Sequence, residues 1–484
     1  MSGVTIVGLG PGDGRLVTRQ AWELLNATEE LYVRTRQHPA VADLPDGLTV
    51  HSFDEVYEHE AHFEDVYATI VARVLELGRR PQGVIYAVPG HPYVAEATTP
   101  EIVRQARQEG LPVRIEAGLS FLEPVFTALQ LDPLPGLVMV DGLELALRQT
   151  PDFAPSQPAL IAQIHDRRVA SEVKLTLMAV YPDEYPVRLV HAAGTLQEIV
   201  EGLALYEIDR SPHIGLLTVL FVPPMAAETA FENFQELIAR LRAPDGCPWD
   251  REQDHQTLRP HLLEETYEVL AALDADDPAA MAEELGDLLL QIVLHAQIGA
   301  EYGEFTMADI VAGIAQKIVR RHPHVFGDLK LQDTEGVLKT WQKLKAEERA
   351  AKGNGDDGPL AGVSLALPAL VQAQQYQKRV ASLGFDWPEI KGVTAKVCEE
   401  AAEIEQASNA DELAAEIGDL LFAVASLARW RQVDAESALR EANMRFRTRF
   451  AHVEQAARQQ GRPLEAYSTD ELVALWEQAK RATH

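Results

Sequence analysis

The chain has 484 residues, 46% of them hydrophobic and 24% charged, which is enough for about two to four domains with apolar cores. Its 74 acidic residues outnumber 43 basic ones, and the net charge of -31 disfavours nucleic acid as a partner. The two cysteines are far apart, so they indicate neither a disulfide framework nor a thiolate metal site. The chain begins without the basic segment of a signal peptide, and its longest apolar stretch is too short to cross a bilayer. We therefore expect a cytoplasmic protein with no membrane segment.

The first 223 residues alternate short β-branched runs with amphipathic helical stretches, which is typical of an α/β domain. The predicted strands are Val4 to Val7, Gly83 to Val88, Leu137 to Val140, Leu189 to Ala192 and Leu216 to Val222. Beyond Pro223 strand signals almost vanish, and Ala, Glu and Leu recur at helical spacing. The sequence therefore predicts an α/β domain over residues 1–223 followed by an all-α region.

The all-α region reads as two similar repeats. A Gly- and Asp-rich segment at residues 352–362, typical of a linker, separates residues 230–351 from residues 363–484. EETYE (264–268) aligns with EEAAE (399–403), and EELGD (283–287) aligns with AEIGD (415–419). Because the polar residues repeat better than their apolar neighbours, the repetition favours a site.

The spacing of these carboxylates predicts a metal site. Residues three apart on a helix are surface neighbours, so Glu400 and Glu403 project together, as do Glu416 and Asp419. The intervening SNAD segment supplies turn and N-cap residues that let the two helices fold back on each other. One such pair is usually just a solvated helix face, but four converging carboxylates repel one another unless a cation lies between them. Ligands that are all oxygen select Mg²⁺ or Mn²⁺.

Basic and aromatic residues near both carboxylate sets fit phosphate chemistry, because a metal-bound triphosphate needs further positive charge around it. The candidates are Lys396, Arg445, Arg449 and Lys480 in the second repeat and Lys317, Arg321 and Lys345 in the first. Trp341 and Trp476 lie one turn before a lysine in their repeats and either stack on a nucleobase or pack in a core, which is the commoner role.

Longer strings in residues 230–484 resemble the MazG family of nucleoside triphosphate pyrophosphohydrolases. They are GCPWDREQ, EETYE, EELGDLL and RRHPHVF in the first repeat and GFDWPE, EEAAE, EIGDLLFAVASLAR and ANMRFRTRF in the second. The resemblance implies an all-α bundle that forms a homodimer and binds Mg²⁺ through EExxE and ExxD motifs. It also implies hydrolysis of NTPs or dNTPs to the monophosphate and pyrophosphate.

The same resemblance implies roles for individual residues. The implied metal ligands are Glu265, Glu268, Glu284 and Asp287 in the first repeat and Glu400, Glu403, Glu416 and Asp419 in the second, where Glu399 joins the catalytic set. The implied nucleotide contacts are Lys396, Asn443, Arg445, Arg449, Trp476 and Lys480, with Trp341 and Lys345 in the first repeat. The second repeat is expected to be the main catalyst, since Ala315 of the first falls where the second has Asn443. Arg445 stands where the family usually has lysine, which changes reach and hydrogen-bond geometry.

Two loops in the first 223 residues predict a cofactor cleft. VTIVGLGPGDGRLVT is a strand that enters a Gly-rich turn, and YAVPGHPYVAEATT follows a second apolar run. Each loop alone also fits a tight strand-to-helix turn. With AGLSFLEPVFTALQLDP and SEVKLTLMAVYPDEYPV, they resemble the tetrapyrrole (corrin/porphyrin) methylase fold, which binds S-adenosylmethionine between two subdomains. The implied cofactor contacts are Gly8, Gly10, Pro11, Gly12, Asp13, Gly90, His91 and Pro92.

The order of methylase domain and then MazG repeats is similar to the YabN class of fusion proteins. The usual GDP loop of the methylases reads Gly90-His91-Pro92 here, so we expect cofactor binding more than methyl transfer. The sequence thus predicts a metal-dependent NTP pyrophosphohydrolase with a methylase-like domain. The alternative is a tetrapyrrole methyltransferase with an auxiliary helical half. A nucleotide sensor without turnover is a third reading, which the two intact carboxylate sets disfavour.

Overall fold

In a computed structural model of the chain, internal contacts divide the molecule after Arg251 into two compact units, which we call the N-terminal unit and the helical unit. The structure describes residues 3–59, 63–331, 333–351, 358–361 and 363–483. Most of the predicted linker, residues 352–357 and 362, lies outside these ranges. Within them, every helix is too short or too polar to cross a lipid bilayer.

The N-terminal unit begins with a five-stranded sheet in which every neighbouring pair is parallel. Its strands are β1 (Val4–Gly8), β2 (Glu30–Val33), β3 (Thr49–Ser52), β4 (Val84–Val88) and β5 (Val113–Glu116), in the order β3-β2-β4-β1-β5. Parallel strands need crossover helices, which cover both sheet faces and bury β1 and β4. These helices are α1 (Arg19–Asn26), α2 (Asp54–His59), α3 (Phe63–Gly78) and α4 (Thr98–Glu109). A further helix, α5 (Leu122–Leu129), follows β5 and packs against the second sheet.

A second, mixed sheet completes the α/β part of the unit. Its strands are β6 (Val138–Asp141), β7 (Ala159–Ala162), β8 (Pro186–His191), β9 (Ile199–Ala204) and β10 (Thr218–Val222), in the order β6-β7-β10-β8-β9. Only β6 and β7 pair in parallel, while the other neighbours are antiparallel. Its helices are α6 (Gly142–Ala146) and α7 (Arg167–Met178). The α/β fold predicted from the sequence is confirmed, and each of the five predicted runs overlaps a strand.

Three glycines bring the carboxyl ends of β1 and β4 together. A Cβ atom on Gly8 would lie 2.5 Å from the carbonyl oxygen of Gly90 and 2.6 Å from the amide nitrogen of Gly118, so any side chain at this position would clash with backbone. Gly10 and Gly90 form a two-residue bridge in which the Gly90 N–H donates to the Gly10 carbonyl at 2.8 Å. Both have positive φ angles of 75° and 67°, a conformation that favours glycine. The two Gly-rich loops therefore meet at the carboxyl edge of the sheet.

All remaining described helices follow the second sheet. They are α8 (Phe231–Arg242), α9 (Pro248–Glu252), α10 (Arg259–Asp274), α11 (Pro278–Tyr302), α12 (Met307–Arg321), α13 (Pro323–Phe326), α14 (Thr334–Ala351), α15 (Ala369–Ala381), α16 (Ile390–Gln406), α17 (Ala410–Trp430), α18 (Ala435–Gln459) and α19 (Thr469–Ala482). We call α10–α14 the first repeat and α15–α19 the second repeat. The contact division falls inside α9, so α8 belongs to the N-terminal unit. The bounds 1–223, 230–351 and 363–484 stay predictions.

Each repeat contains one helical hairpin, α10–α11 or α16–α17, whose two helices pack along each other. Three residues separate the helices in both hairpins. Asp277 caps α11 by accepting from the amide of Ala279 at 3.0 Å, and Asn409 caps α17 by accepting from the amide of Glu412 at 2.9 Å. These caps satisfy amide groups that the first helical turn leaves free. The turn predicted from SNAD is therefore where the sequence places it, and the equivalent turn of the first repeat, residues 275–277, lies within DADDP.

Candidate metal and nucleotide sites

The first repeat gathers three carboxylates across its hairpin. Glu265 and Glu268 of α10 and Glu284 of α11 each offer an oxygen, and these oxygens all lie within 4.8 Å of one another. The pKa of Glu265 is raised by desolvation and by the nearby charges of Asp287 and Glu268. Desolvation also raises the pKa of Glu284, with Glu268 and Asp287 as the next causes. All four predicted ligands thus share one electrostatic neighbourhood, although Asp287 lies outside the closest three.

The second repeat gathers a related but different three. Here Glu400 of α16 joins Glu416 and Asp419 of α17, again with oxygens within 4.8 Å of one another. Glu400 is only 4% exposed, and a buried carboxylate is costly unless it is paired. Desolvation raises the pKa of Glu403, and the charges of Glu400 and Glu416 raise it further. The four carboxylates predicted for this repeat therefore also converge.

Both clusters fit a hard divalent cation. Each offers only carboxylate oxygens from two facing helices, the donor set that suits Mg²⁺ or Mn²⁺. Desolvation raises the pKa values of Glu265, Glu284 and Glu403, and the charges of neighbouring carboxylates raise them further. A bound cation would relieve this repulsion.

Lys396 neutralises part of the second cluster. Its Nζ lies 2.8 Å from Glu399 Oε1 and 2.7 Å from Glu400 Oε1. These two hydrogen bonds raise the pKa of Lys396 above its usual value. Glu399 is therefore placed as a partner of Lys396 beside the cluster, and Lys396 holds the buried Glu400 from the same helix.

The predicted nucleotide contacts of the second repeat lie on α18 and α19, which pack against each other. Arg449 Nε donates to the Thr483 hydroxyl at 3.2 Å, whereas Arg445 and Lys480 pair with Glu441 and Glu477 at 3.2 and 2.6 Å. Asn443 is exposed on α18. The Trp476 ring lies 5.1 Å from that of Phe446 and packs beside the small core of Val453, Leu475 and Ala479. The packing role proposed for Trp476 is thus present.

In the first repeat, cations cover the corresponding tryptophan. The Arg321 guanidinium lies 5.5 Å and Lys345 Nζ 4.8 Å from the centre of the Trp341 ring. Lys317 is exposed on α12. Sequence reasoning overlooked Glu348 on α14, which pairs with both Arg320 and Arg321. Extending the alignment of the two repeats past Lys345 would have revealed it, because Glu348 then falls opposite Thr483.

The first Gly-rich loop of the N-terminal unit borders an open cleft of about 810 Å³, to which it contributes the predicted contacts Gly12 and Asp13. The cleft is lined by Gly12, Asp13, Gly14, Arg15, Val17, Arg19, Trp22, Pro39, Asp43, Thr195, Leu196 and Gln197. A hydrogen bond from the Arg15 guanidinium lowers the pKa of Asp13 to about 2. Gly90, His91 and Pro92 do not line this cleft, and His91 Nδ1 accepts from the amide of Tyr93 at 3.1 Å. The two loops are joined instead by backbone contacts, among them the bridge between Gly10 and Gly90.

A buried polar cluster beside these loops escaped prediction. Arg34 follows β2 and pairs with Glu96, which follows β4 and also accepts from the Thr98 amide at 2.9 Å. Burial lowers the pKa of His38 to about 4, with a hydrogen bond to Gly10 opposing this shift and positive Arg34 adding to it. His38 is 7% exposed, and its Nδ1 has no hydrogen-bond partner in the described chain. A charged residue directly after a buried strand was the signal that could have found Arg34.

Family models match both parts of the chain. Tetrapyrrole (Corrin/Porphyrin) Methylases match residues 3–209, and the MazG nucleotide pyrophosphohydrolase domain matches residues 253–326 and 390–454. The two carboxylate clusters lie in the second match. Fold and matches together define a methylase-like α/β domain that precedes a duplicated MazG domain.

Similar proteins narrow this class. The chain is 40% identical to YabN of Bacillus subtilis (strain 168) over 99% of this chain and 98% of that protein. The chain belongs to the YabN family. Its helical part is also 41% identical to the nucleoside triphosphate pyrophosphohydrolase/pyrophosphatase MazG of Thermotoga maritima, over 52% of this chain and 95% of that protein. It is likewise 42% identical to a nucleoside triphosphate pyrophosphohydrolase of Escherichia coli (strain K12), over 51% of this chain and 95% of that protein.

Proposed function

We propose that the chain is a metal-dependent nucleoside triphosphate pyrophosphohydrolase that converts NTPs or dNTPs to the monophosphate and pyrophosphate. The supporting observation is the carboxylate cluster that each helical hairpin builds. The MazG relatives carry this activity in their names. Such a reaction clears nucleotides from the cytoplasm, and the net charge of -31 fits a small, metal-bound substrate better than a nucleic acid.

In the second repeat, Glu400, Glu403, Glu416 and Asp419 would hold Mg²⁺ or Mn²⁺. When bound, such a cation would supply charge neutralisation for the triphosphate and would make a water molecule more acidic, and hence a better nucleophile. Lys396 fixes Glu400 by an ion pair of 2.7 Å and so sets the orientation of one ligand. Arg449, Arg445, Lys480 and Asn443 supply phosphate contacts, and Trp476 packs behind them.

The first repeat would hold a cation through Glu265, Glu268, Glu284 and Asp287 without being the main catalyst. Ala315 replaces the amide of Asn443, and the basic side chains around Trp341 contact the ring or an acid. The second repeat retains the amide of Asn443 and an arginine, Arg449, whose hydrogen bond goes to a neutral hydroxyl.

We also propose that the protein acts as a homodimer formed through its helices. Three apolar side chains near Glu284 on α11 are open to solvent, since Leu285, Leu289 and Ile292 are 47%, 38% and 39% exposed. Residues 311–320 of α12 are exposed all round, including Val311, Ile314 and Ile318. An apolar surface of this kind on two neighbouring helices marks a protein interface. A second copy presents the same surface, as twofold symmetry requires.

Product analysis tests the reaction. With a panel of NTPs and dNTPs and Mg²⁺, we expect pyrophosphate and the monophosphate, no activity in EDTA, and recovery on adding Mg²⁺ or Mn²⁺. Orthophosphate with the diphosphate would instead mean cleavage at the terminal phosphate and would refute the proposal.

For the N-terminal unit we propose S-adenosylmethionine binding at the Gly-rich loops. The bridge between Gly10 and Gly90 exposes backbone at the carboxyl edge of a parallel sheet, the edge where α/β folds bind ligands. The loop Gly90-His91-Pro92 has no carboxylate, so binding is favoured over methyl transfer to a tetrapyrrole. Transfer of a labelled methyl group to a porphyrinoid would establish the alternative activity.

A further inference from the structure

A carboxylate on α14 closes over two arginines of α12. Arg321 donates from Nε to Glu348 Oε1 at 3.1 Å and from Nη2 to Glu348 Oε2 at 2.5 Å. Arg320 Nη2 approaches the same Oε1 to 2.6 Å. The side chains of Arg321 and Glu348 are each only 14% exposed. We call this arrangement the Glu348 clamp.

Among the described residues of the second repeat, the aligned positions form no such ion pair. Trp341 and Lys345 align with Trp476 and Lys480 at an offset of 135 residues, and at this offset Glu348 aligns with Thr483. Ala315 aligns with Asn443 at an offset of 128, and at this offset Arg321 aligns with Arg449. In the structure Arg449 donates to the Thr483 hydroxyl at 3.2 Å. The same two positions therefore meet in both repeats, as an ion pair in the first and a neutral contact in the second.

The difference decides which arginine is free to bind phosphate. A forked guanidinium binds a phosphate through the same parallel N–H groups that bind a carboxylate. Arg321 already uses that fork on Glu348, and displacing the carboxylate would leave a mostly buried charge without a partner. The paired arginines hold the pKa of Glu348 at about 2, with the Arg321 hydrogen bond as the main cause. Glu348 therefore remains charged at neutral pH.

The clamp also fixes what covers the neighbouring aromatic ring. Arg321 lies over Trp341 together with Lys345, so the ring face that would stack on a base already carries cations. In the second repeat, Trp476 lies against the aromatic ring of Phe446. The residue of the first repeat that aligns with Phe446 is Ile318, which is not aromatic.

We infer that Glu348 is the residue that keeps the first repeat from binding nucleotide, by occupying Arg321, and that Thr483 leaves Arg449 available in the second. The inference rests on the proposed nucleotide chemistry and names the side chain that divides the labour between the repeats. Exchange of these two residues should move nucleotide binding between the repeats.

Calorimetric titration of the full chain with an α,β-methylene NTP analogue and Mg²⁺ tests the inference. We expect one analogue bound per wild-type chain and two per Glu348→Gln chain, since glutamine keeps the shape of glutamate without its charge. Thr483→Glu should place a clamp on Arg449, weaken analogue binding at least tenfold and raise KM more than it lowers kcat. Thr483→Gln should cause a smaller loss, because it adds size without charge.

Glu347→Gln is the matched control, because Glu347 lies beside Glu348 on α14 but pairs with Lys343. It should bind one analogue, and thermal melting should show all variants folded. One analogue per Glu348→Gln chain, with wild-type binding in Thr483→Glu, would overturn the inference while pyrophosphate release by the wild type upheld the proposed function. If the wild type cleaves no triphosphate but Glu348→Gln binds two analogues, the proposed function is refuted, while the inferred role of Glu348 in preventing nucleotide binding is upheld.

Discussion

Glu403 and Asp419 are the side chains that best separate the roles of the two repeats. We predict that Glu403→Gln or Asp419→Asn lowers kcat at least ~100-fold, the scale expected when a catalytic metal ligand is lost. The matching changes in the first repeat, Glu268→Gln and Asp287→Asn, should leave most activity. Steady-state kinetics of pyrophosphate release measures both pairs. Equal losses would mean that both repeats catalyse, and a larger loss from the first pair would reverse the assignment.

His38 gives the N-terminal unit a pH dependence that can be isolated. Its pKa falls from 6.5 to about 4 on folding, because burial disfavours the charged imidazolium. Above pH 6.5 both states are neutral at this residue. As the pH falls from 6.5 towards 4, the unfolded chain takes up the proton first, so the folded state loses stability, by roughly 3 kcal/mol in all.

Replacing His38 by Gln tests this, because glutamine can still donate to the Gly10 carbonyl but does not titrate. Denaturant unfolding of the full chain at pH 7 and pH 5 should show a smaller loss of stability in His38→Gln than in the wild type. The carboxylates titrate alike in both proteins and cancel in the comparison. Parallel losses would show that His38 is protonated in the folded state.

Single residues also mark the limit of prediction from sequence. Glu400 and Asp419 could be predicted as candidate ligands because helical spacing and repetition both point to them. Glu348 could be found only by aligning the two repeats, because its sequence context, KAEER, is that of an ordinary charged helix. Arg34 and His38 lie in the loop after β2 and Glu96 lies in the loop after β4, and nothing local in the sequence shows that the parallel sheet brings these two loops together.

At the level of elements, the hairpins α10–α11 and α16–α17 carry charge that opposes their own packing. The folded-state pKa values of Glu265, Glu284 and Glu403 are raised, first by desolvation and then by neighbouring acids. The effect of pH on stability is therefore opposite to that of His38. Protonation favours the folded state here, so stability contributed by these groups rises as the pH falls and is lost as it rises through the raised pKa values.

We therefore predict that Mg²⁺ raises the melting temperature of the helical unit at pH 7.5, where the clusters are charged, by binding the folded state alone. Glu403→Gln should melt above the wild type in EDTA, because it removes one repelling charge, and should gain less from Mg²⁺. Differential scanning calorimetry of the full chain measures both transitions. A variant that melts below the wild type in EDTA would show that Glu403 is already stabilised without metal.

Strand prediction succeeded mainly for apolar runs of five or six residues and mostly missed strands of four. β1, β4 and β10 are interior strands of their sheets and are almost wholly apolar. The missed strands include the edge strands β3, β5 and β9, which contact one neighbour only and so tolerate polar residues such as Arg114 and Glu201. The other two, β2 and β7, are interior strands of only four residues each. The helices of both repeats could be predicted from the helical spacing of apolar residues and from capping residues. The boundary between the two units, inside α9, could not be predicted, because the amino-acid composition does not change there.

The whole molecule carries two predicted ligand sites that can be tested in one chain. If the Gly-rich loops bind cofactor, S-adenosylmethionine or S-adenosylhomocysteine should raise the melting temperature of the N-terminal unit and leave that of the helical unit unchanged. Differential scanning calorimetry with each ligand at millimolar concentration measures this. An unchanged first transition would leave the N-terminal unit as a scaffold.

The exposed helices predict the behaviour of the whole molecule in solution. Ile314→Glu with Ile318→Glu places two charges in the apolar surface of α12 and should convert a dimer to a monomer, as measured by sedimentation velocity. Gln316→Glu, on the same helix and also exposed, is the matched control and should remain dimeric. A wild type that sediments as a monomer at micromolar concentration would contradict the proposed dimer.

The first carboxylate cluster has a consequence for how the two repeats diverged. After a duplication, a copy relieved of its reaction accumulates substitutions freely, and most random changes are retained only where they do not harm stability. Glu265, Glu268 and Glu284 repel one another, so drift alone is expected to favour replacement of at least one of them by a neutral residue. Their presence together beside Ala315 and Glu348 is what we expect if selection on the first copy maintained a cation site after its nucleotide contacts had changed.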